Sequence, residues 1–510
     1  MRDPTPFRAA PEPLQDAPVE GDGLGEIDET DEVGEPQDEH GEHGDPRRWF
    51  ILVTVLLGHF IVVSSLGSLN VALPTIQAEF DASPAVLQWL VVLYQISYAT
   101  VLAIGGRLGD LFGRRRLFLI GISGFALSSL VAAVAPAVEL VVACRLLQGV
   151  FGGLSSPQVL AMIQVAFPPR ERPKAFAAFG QVSGAAFVLG QLISGALIQW
   201  NVLGLSWRNA FYVNVVVGML VLVAAIAVLR EVRQRTTRDV DLVGMGLTAT
   251  AGLLILFPII QGREAGWPLH YFAMLAMAGP VIAVLLRVER RVVAAGRDPI
   301  LNPIMLSLPS FRNGVLSAGL FGFMGFAPFF LITVTLQTGF GMDPLATALA
   351  TTPGPVAVII MSFFSAHIID RIGARIFMLA GAISIASYVA LLVTLRVVTL
   401  PPHPAELIPA LALVGCVAAL VLPAGVTLTL SDVPSGHSSS ASGMYQTVQQ
   451  SVGALGVACF GTVFFSVLGD RTGEPAFVES ISWAMTPAFI TSVLLLVVGF
   501  RLRHVRISAG

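Results

Sequence analysis

Charge is what this sequence has least of. Only 12% of its 510 residues are Asp, Glu, Lys or Arg, about half of what a soluble protein of this size carries. Lysine is almost missing, Lys174 being the single one. The arginine bias fits a GC-rich bacterial genome. Cysteine is scarce too: Cys144, Cys416 and Cys459 all fall inside apolar runs. Their spacing excludes a disulfide framework and the common metal motifs, so they read as small buried core residues. There is no Gly-rich phosphate loop followed by lysine, no His-Glu-x-x-His and no nucleophile elbow. No enzymatic activity, cofactor or nucleic-acid partner is expected, and ATP is excluded as a direct driver through this chain.

What is present is apolar length. The hydrophobic share is 55% and the mean hydropathy +0.77. Runs of 18 or more apolar residues recur from Trp49 nearly to the end, each long enough to cross a hydrocarbon core of about 30 Å. In lipid the backbone must satisfy its own hydrogen bonds, which leaves helices or a closed barrel. The runs do not alternate as barrel strands do. Helical spans are expected at 48–70, 85–106, 117–135, 138–160, 175–198, 208–230, 241–261, 270–290, 313–337, 345–368, 376–398, 405–430, 438–466 and 482–501.

The net charge of −3 hides a segregation, since residues 1–46 hold 15 acidic residues and 2 arginines. That stretch is rich in Pro, Gly, Asp and Glu and lacks the basic start and apolar centre of a signal peptide. It reads as a disordered, solvated acidic tail. In the rest of the chain, loops on one side collect 23 basic residues and loops on the other only Arg208, Arg263, Arg396 and Arg471. The positive-inside rule then puts both termini in the cytoplasm.

An internal repeat accompanies the spans. Gly106-Arg107-Leu108-Gly109-Asp110-Leu111-Phe112-Gly113-Arg114-Arg115 follows the second span, and Asp370-Arg371-Ile372-Gly373-Ala374-Arg375 follows the tenth. Both are short turns of the form Asp-x-x-Gly-x-Arg. They would be equivalent in two six-helix halves separated by two extra helices, an arrangement found in rocking transporters with a central site. The expected fold is an all-α integral membrane protein of two pseudo-symmetric six-helix bundles plus two extra central helices. The divisions expected are a tail at 1–46, a bundle at 47–235, the extra pair at 236–295, a second bundle at 296–505 and a short tail at 506–510.

In the first of these loops Gly106 and Gly113 allow a sharp return of the chain. Asp110 lies among arginines at a helix end, where a carboxylate can pair with arginine or with a helix N-terminus across the interface of the halves and latch one conformation. Gly106, Asp110, Gly113, Arg114, Asp370 and Arg371 are the candidate gating residues. This loop resembles the signature loop of the major facilitator superfamily, with Leu111 where the family pattern usually has arginine. Asn70-Val71-Ala72-Leu73-Pro74, Gln88-Trp89 with Tyr94, Arg145-Leu146-Leu147-Gln148-Gly149, and Trp207-Arg208 with Phe211, Asn214 and Gly218 are similar to the 14-helix drug:proton antiporters of that superfamily. So are Ala441-Ser442-Gly443 and Gly453-Ala454-Leu455-Gly456-Val457-Ala458. The resemblance implies export of small molecules by alternating access, with the proton-motive force as energy source.

Two departures stand against that pattern. The antiporter motif of the fifth span has Gly-Pro where this chain has Gly190-Gln191. The first span carries Ser65 where the subgroup usually has aspartate, and no Asp or Glu lies deep in any span. A charge inside the bilayer is costly and faces the bundle interior or water. Arg145, about seven residues into its span, is therefore a candidate in proton coupling as the resemblance implies, or else a structural arginine bonded to carbonyls. His59, about 17 Å deep at 1.5 Å per residue, is a second candidate, or else a neutral histidine bonded to a neighbouring helix. Asp110 is a third, at the basic edge. Asn70, Tyr94, Gln95, Gln181, Gln191, Gln337, Tyr445, Gln446 and Gln449 are candidates for a substrate cavity, or equally for interhelical hydrogen bonds. Pro353-Gly354-Pro355 reads as a hinge or a static kink.

Three functions remain open. The first is a proton-driven exporter of amphipathic small molecules, monomeric in the bacterial cell membrane. The second is a facilitator or importer on the same fold, which would follow the substrate gradient alone. The third is a membrane sensor or scaffold, which would bind without flux.

Overall fold

The computed structural model describes residues 45–168, 170–231, 241–295, 305–398, 402–433 and 438–504. All of them belong to one compact unit, Glu42–Gly510. The acidic tail up to residue 44 and the junctions at 232–240 and 296–304 lie outside the described residues.

The described residues form α-helices and short helical turns. The first half holds α1 (Arg48–Phe80), α2 (Pro84–Phe112), α3 (Arg114–Ala133), α4 (Val138–Ala166), α5 (Arg172–Gln199) and α6 (Asn209–Val228). An inserted hairpin follows, α7 (Leu242–Gln261) and α8 (Leu269–Ala294). The second half holds α9 (Pro309–Gly325), α10 (Ala327–Val334), α11 (Pro344–Thr351), α12 (Pro353–Ile372), α13 (Ile376–Val397), α14 (Ile408–Leu430), α15 (Ser438–Leu468), α16 (Glu474–Ala484) and α17 (Thr486–Arg501). Thirteen segments are long and apolar enough to cross a membrane. One of them, Pro344–Val397, is 54 residues long, about 80 Å of helix at 1.5 Å per residue, and it turns at Gly373. The crossings among the described residues therefore number fourteen.

The halves share one packing plan. In the first, α4 packs on α2 and α3, α1 on α5, and α6 on α1 and α3; in the second, α14 packs on α12 and α13, α15 on α9, and α17 on α9 and α13. The repeated loops occupy matching joints. Gly113 between α2 and α3 has φ +101°, and Gly373 between α12 and α13 has φ +57°. Any other residue is strained at such angles.

Several expected boundaries shift, most of all at the first and last spans. The first helix continues ten residues past Asn70, through Pro74, to Phe80. Proline removes one hydrogen bond, which a membrane helix tolerates. The extension is fastened by Glu79, which accepts hydrogen bonds from Trp207 Nε1 at 2.7 Å and Arg208 Nη1 at 2.9 Å. The last span begins at Glu474, eight residues earlier than expected, and breaks at Met485. At Pro353-Gly354-Pro355 the chain bends without leaving the helix: Thr352 keeps φ −60° and ψ −33°. A Cβ on Gly354 would meet Leu411 O at 3.1 Å, so the bend is where α12 crosses α14.

The core shows which face is closed. Call the end of the bundle carrying the α2–α3 loop the basic face and the other the far face. Toward the far face one continuous apolar cluster joins both halves: Leu73 and Ile76 of α1, Trp89 of α2, Leu331 of α10, Ala348 of α11 and Phe460 of α15 belong to it. Toward the basic face the core divides. One cluster holds only first-half residues such as Val55, Phe118 and Ile163, and another only second-half residues such as Ile369, Phe377 and Leu428. Gly195 of α5 is packed on Pro344, Leu345 and Ala348, whereas Gly180, nearer the basic face, has nothing within 4 Å of where a Cβ would stand. Among the described residues the apolar core is thus continuous between the halves at the far face and divided at the basic face.

Lipid tails are as apolar as leucine, so helices associate here through close contact and not through loss of water. At the α1–α5 seam Gly190 lies on the Ser64 backbone and Gly67 on the Phe187 carbonyl, with no room for a Cβ on either. Gly190→Leu is expected to cost about 1–3 kcal/mol or more by overpacking, whereas Gly279→Leu on α8, which meets open space, is expected to be neutral. Loss of monodisperse protein on heating compares the two.

Candidate functional site

Arg145 is the deepest charge in the first half. It is fully buried, about 10 Å along α4 from its start. A guanidinium there needs acceptors, and neighbouring helices provide them. Nε donates to Leu90 O at 3.0 Å, and Nη1 donates to Ser65 Oγ at 2.9 Å and Gln148 Oε1 at 2.8 Å. The plane lies 4.1 Å from the Tyr94 ring centroid. Gln148 Nε2 donates on to Ser129 Oγ at 2.8 Å, and Tyr94 donates to Val62 O at 2.7 Å. One arginine thus ties α1, α2, α3 and α4 together. Nη2 is buried with no hydrogen-bond partner among the described residues. Ser65, where the subgroup pattern has aspartate, is Arg145's own partner.

His59 lies elsewhere, on the α1–α5 seam. Its Nε2 is 2.8 Å from Ser183 Oγ, and its ring is stacked at 4.3 Å on Phe179. Its Nδ1 is buried without a partner among the described residues. The ring is thus held by one hydrogen bond and one stacked phenyl ring.

At the basic face Asp110 pairs with Arg114 within the first half, Nη2 to Oδ1 at 2.9 Å and Nε to Oδ1 at 3.1 Å. Arg114 Nη1 also donates to Ala161 O at 3.3 Å, which binds the latch to α4. This partner of Asp110 lies on its own half. Glu231, beyond α6, is a participant that sequence reasoning missed. It accepts from Arg115 N at 3.2 Å, faces Arg116 Nε at 3.8 Å and abuts Gly113. A carboxylate there satisfies the N-terminal amides of α3 and suits the helix dipole. Gly106 faces Pro157 of α4, 3.9 Å from where its Cβ would stand. In the second loop Arg371 is exposed and Arg375 Nε donates to Arg503 O at 3.3 Å. Asp370 is exposed beside Arg371. Nearby on the same face, an ion pair to Arg48 at 2.7 Å holds the Glu171 carboxyl below the usual carboxylate range.

The other candidates divide by place. Gln191 and Gln337 lie on the sealed seam between halves: Thr351 Oγ1 donates to Gln191 Oε1 at 3.5 Å, and Gln337 Nε2 donates to Val71 O at 3.1 Å. Gln95 is buried with its Oε1 unpartnered among the described residues, and Asn70 is 6% exposed. Tyr445 is buried and donates to Leu422 O at 3.4 Å. Gln446 and Gln449 are half-buried on α15, and Gln181 is exposed on α5 toward the open face. A separate apolar cavity of about 880 Å³, lined by residues such as Leu316, Phe323, Val452, Trp483 and Ile490, lies among α9, α15, α16 and α17 with no first-half residue in its wall. It is a side groove and not the path between halves.

The Arg145 site generates a test. Ser65→Asp places a carboxylate beside a cation already present and is expected to fold. In an Arg145→Gln background the same aspartate is an unpaired buried charge, expected to cost about 3–5 kcal/mol. Thermal unfolding in detergent of the single and double variants measures the difference.

Comparison with known proteins agrees with this architecture. The profile of the Major Facilitator Superfamily matches residues 55–457. The chain is 32% identical to the "Probable actinorhodin transporter" of Streptomyces coelicolor over 83% of its own length and 74% of that protein. It is 32% identical to the "Puromycin resistance protein pur8" of Streptomyces alboniger over 88% and 91%. It is 30% identical to the "Multidrug resistance protein Stp" of Mycobacterium tuberculosis over 83% and 77%. A crystal structure of a mutant of the peptide transporter POT in complex with sulfate superposes with a TM-score of 0.65 at 15% identity, covering 90% of this chain and 95% of that one, a likeness of fold alone. A family profile spanning most of the chain, on fourteen helical crossings with repeated halves and matched signature loops, places this protein in the Major Facilitator Superfamily.

Proposed function

We propose that this protein is a secondary active exporter of amphipathic small molecules, driven by the proton gradient and working by alternating access. The observation that carries the reading is identity of 30–32% over more than four-fifths of the chain with relatives named for antibiotic transport, resistance and export. The domain boundaries proposed are those read from the sequence, with 47–235 and 296–505 as moving halves around the 236–295 insertion. With 23 basic loop residues on one side against 4 on the other, both termini are cytoplasmic and the open basic face is the loading side. A monomer suffices, because each chain carries both halves of its own path.

In this mechanism the Asp110–Arg114 pair and Glu231 hold the α2–α3 joint, and its counterpart around Asp370 and Arg371 holds the α12–α13 joint. Substrate enters between the halves, past Gln181 on α5 and Gln446 and Gln449 on α15. Deeper candidates for contact are Asn70, Tyr94, Gln95 and Tyr445. Gln191 and Gln337 become available only when the far-face seam parts. Arg145 keeps the first half rigid through four helices. A proton passing inward needs a group that binds and releases it, and the free Nδ1 of His59 is the proposed acceptor in the absence of a carboxylate at Ser65.

The test expresses wild type, Asp110→Asn and His59→Gln at matched levels in a host without its own efflux pumps. Wild type is expected to protect against several unrelated dyes, antiseptics or antibiotics, and Asp110→Asn to lose that protection. His59→Gln is expected to lose the pH-gradient dependence of efflux from everted vesicles. Ser65 beside Arg145 favours one other reading, a facilitator that runs on the substrate gradient alone. Wild-type transport indifferent to a pH gradient would select it.

A further inference from the structure

The inserted hairpin is fastened to both halves at the sealed face. Helix α2 begins at Pro84 with no acidic residue in its first turn, and its N-cap residue Ser83 makes no capping bond of its own. The free amides at a helix start need a partner. Glu264, in the turn between α7 and α8, supplies it: Ala85 N donates to Oε1 at 3.0 Å and Ser83 Oγ donates to Oε2 at 3.1 Å. One carboxylate thus caps a helix 179 residues away. The opposite bond is made on the other half. Ile259 is in the last turn of α7, where carbonyls lack helical partners, and its oxygen accepts from Thr462 Oγ1 of α15 at 2.8 Å.

These bonds straddle the seam that must part. Gly461, next to Thr462, lies on the Gln88 side chain of α2, which is 2% exposed. Phe257 of α7 packs on Trp89 at 5.9 Å, and Leu256 and Ile260 are buried in the apolar cluster that joins both halves. Opening the far face separates α2 from α15. The hairpin cannot follow both, so one attachment is lost in every cycle. The Thr462 bond joins two of the membrane-spanning segments, whereas Glu264 is exposed in a turn. Its bonds are the ones that water can replace.

We propose that Glu264 is a positioning residue of the transport cycle, a detachable cap that fastens the hairpin to α2 when the far face is closed and lets go when it opens. The hairpin then acts as a clasp on the outer seam and travels with the second half. This inference rests on the alternating-access reading above.

The test starts from a chain with Cys144, Cys416 and Cys459 changed to alanine. Gln88→Cys reports seam opening through its rate of labelling by a membrane-impermeant maleimide applied from the far face. Glu264→Ala is expected to raise that rate about two- to fivefold, the share set by a carboxylate at a helix start. Glu264→Gln, which keeps an oxygen acceptor and loses the charge, is expected to fall between. A rate unchanged or lowered by Glu264→Ala, at equal thermal stability, overturns the proposal. In a second arm, Ser83→Cys with Glu264→Cys is joined by a short reductant-cleavable thiol cross-linker. Transport is expected to stop when the pair is joined and to return on reduction. A pair that does not join, or full transport while joined, overturns the clasp. Transport by the unjoined variant tests the export reading by itself, so the two can fail separately.

Discussion

A peptide group in hydrocarbon has no water to bond, and leaving one unsatisfied costs several kcal/mol. This constraint governs the protein at every scale. It makes each span a helix. It moves the exposed amides and carbonyls to helix ends, where the chain must find side chains to cap them. In this protein the caps often come from far along the sequence: Glu231 at the start of α3, Glu264 at the start of α2, Thr462 at the end of α7. The same bonds that satisfy helix ends therefore also join helices, and the joints of the transporter are its caps.

Arg145 follows the same logic in the interior. A buried cation is stable only if its donors are engaged. Here a backbone carbonyl, a serine, a glutamine and a tyrosine face engage Nε, Nη1 and the guanidinium plane, with no carboxylate among these partners. With Ser65 as a neutral partner the arginine stays bonded and the four helices stay tied, so this part of the architecture does not depend on a carboxylate at position 65.

Span number, repeated loops and the burial of Arg145 were legible from the sequence because each depends on local composition: apolar length, an Asp-x-x-Gly-x-Arg spacing, a charge inside a run. The superfamily followed from the same motifs. What was not legible is pairing at a distance. Nothing near Glu231 or Glu264 marks them as caps for α3 and α2, because the amides they serve are more than a hundred residues away. For Asp110 the sequence leaves an arginine or a helix N-terminus as partner, and the structure pairs it with Arg114, four residues on. The helix through Pro74 was missed for a related reason. Its extension is held by Trp207 and Arg208, and no feature of residues 71–80 announces them.

The duplicated halves have also aged differently. Each span of the first half is one unbroken helix, while three spans of the second are divided into two pieces, bending at Thr352 and interrupted at Phe326 and Met485. The pieces toward the far face, α10, α11 and α16, are only 8, 8 and 11 residues long. Two of them carry the contacts that close the seam, Ala348 of α11 against Gly195 and Leu331 of α10 within the shared cluster. One wall of the far-face seam is therefore a set of long girders and the other a row of short slats. A long girder carries any tilt along its whole length, whereas a tilt of one short slat need not be passed to the rest of its span.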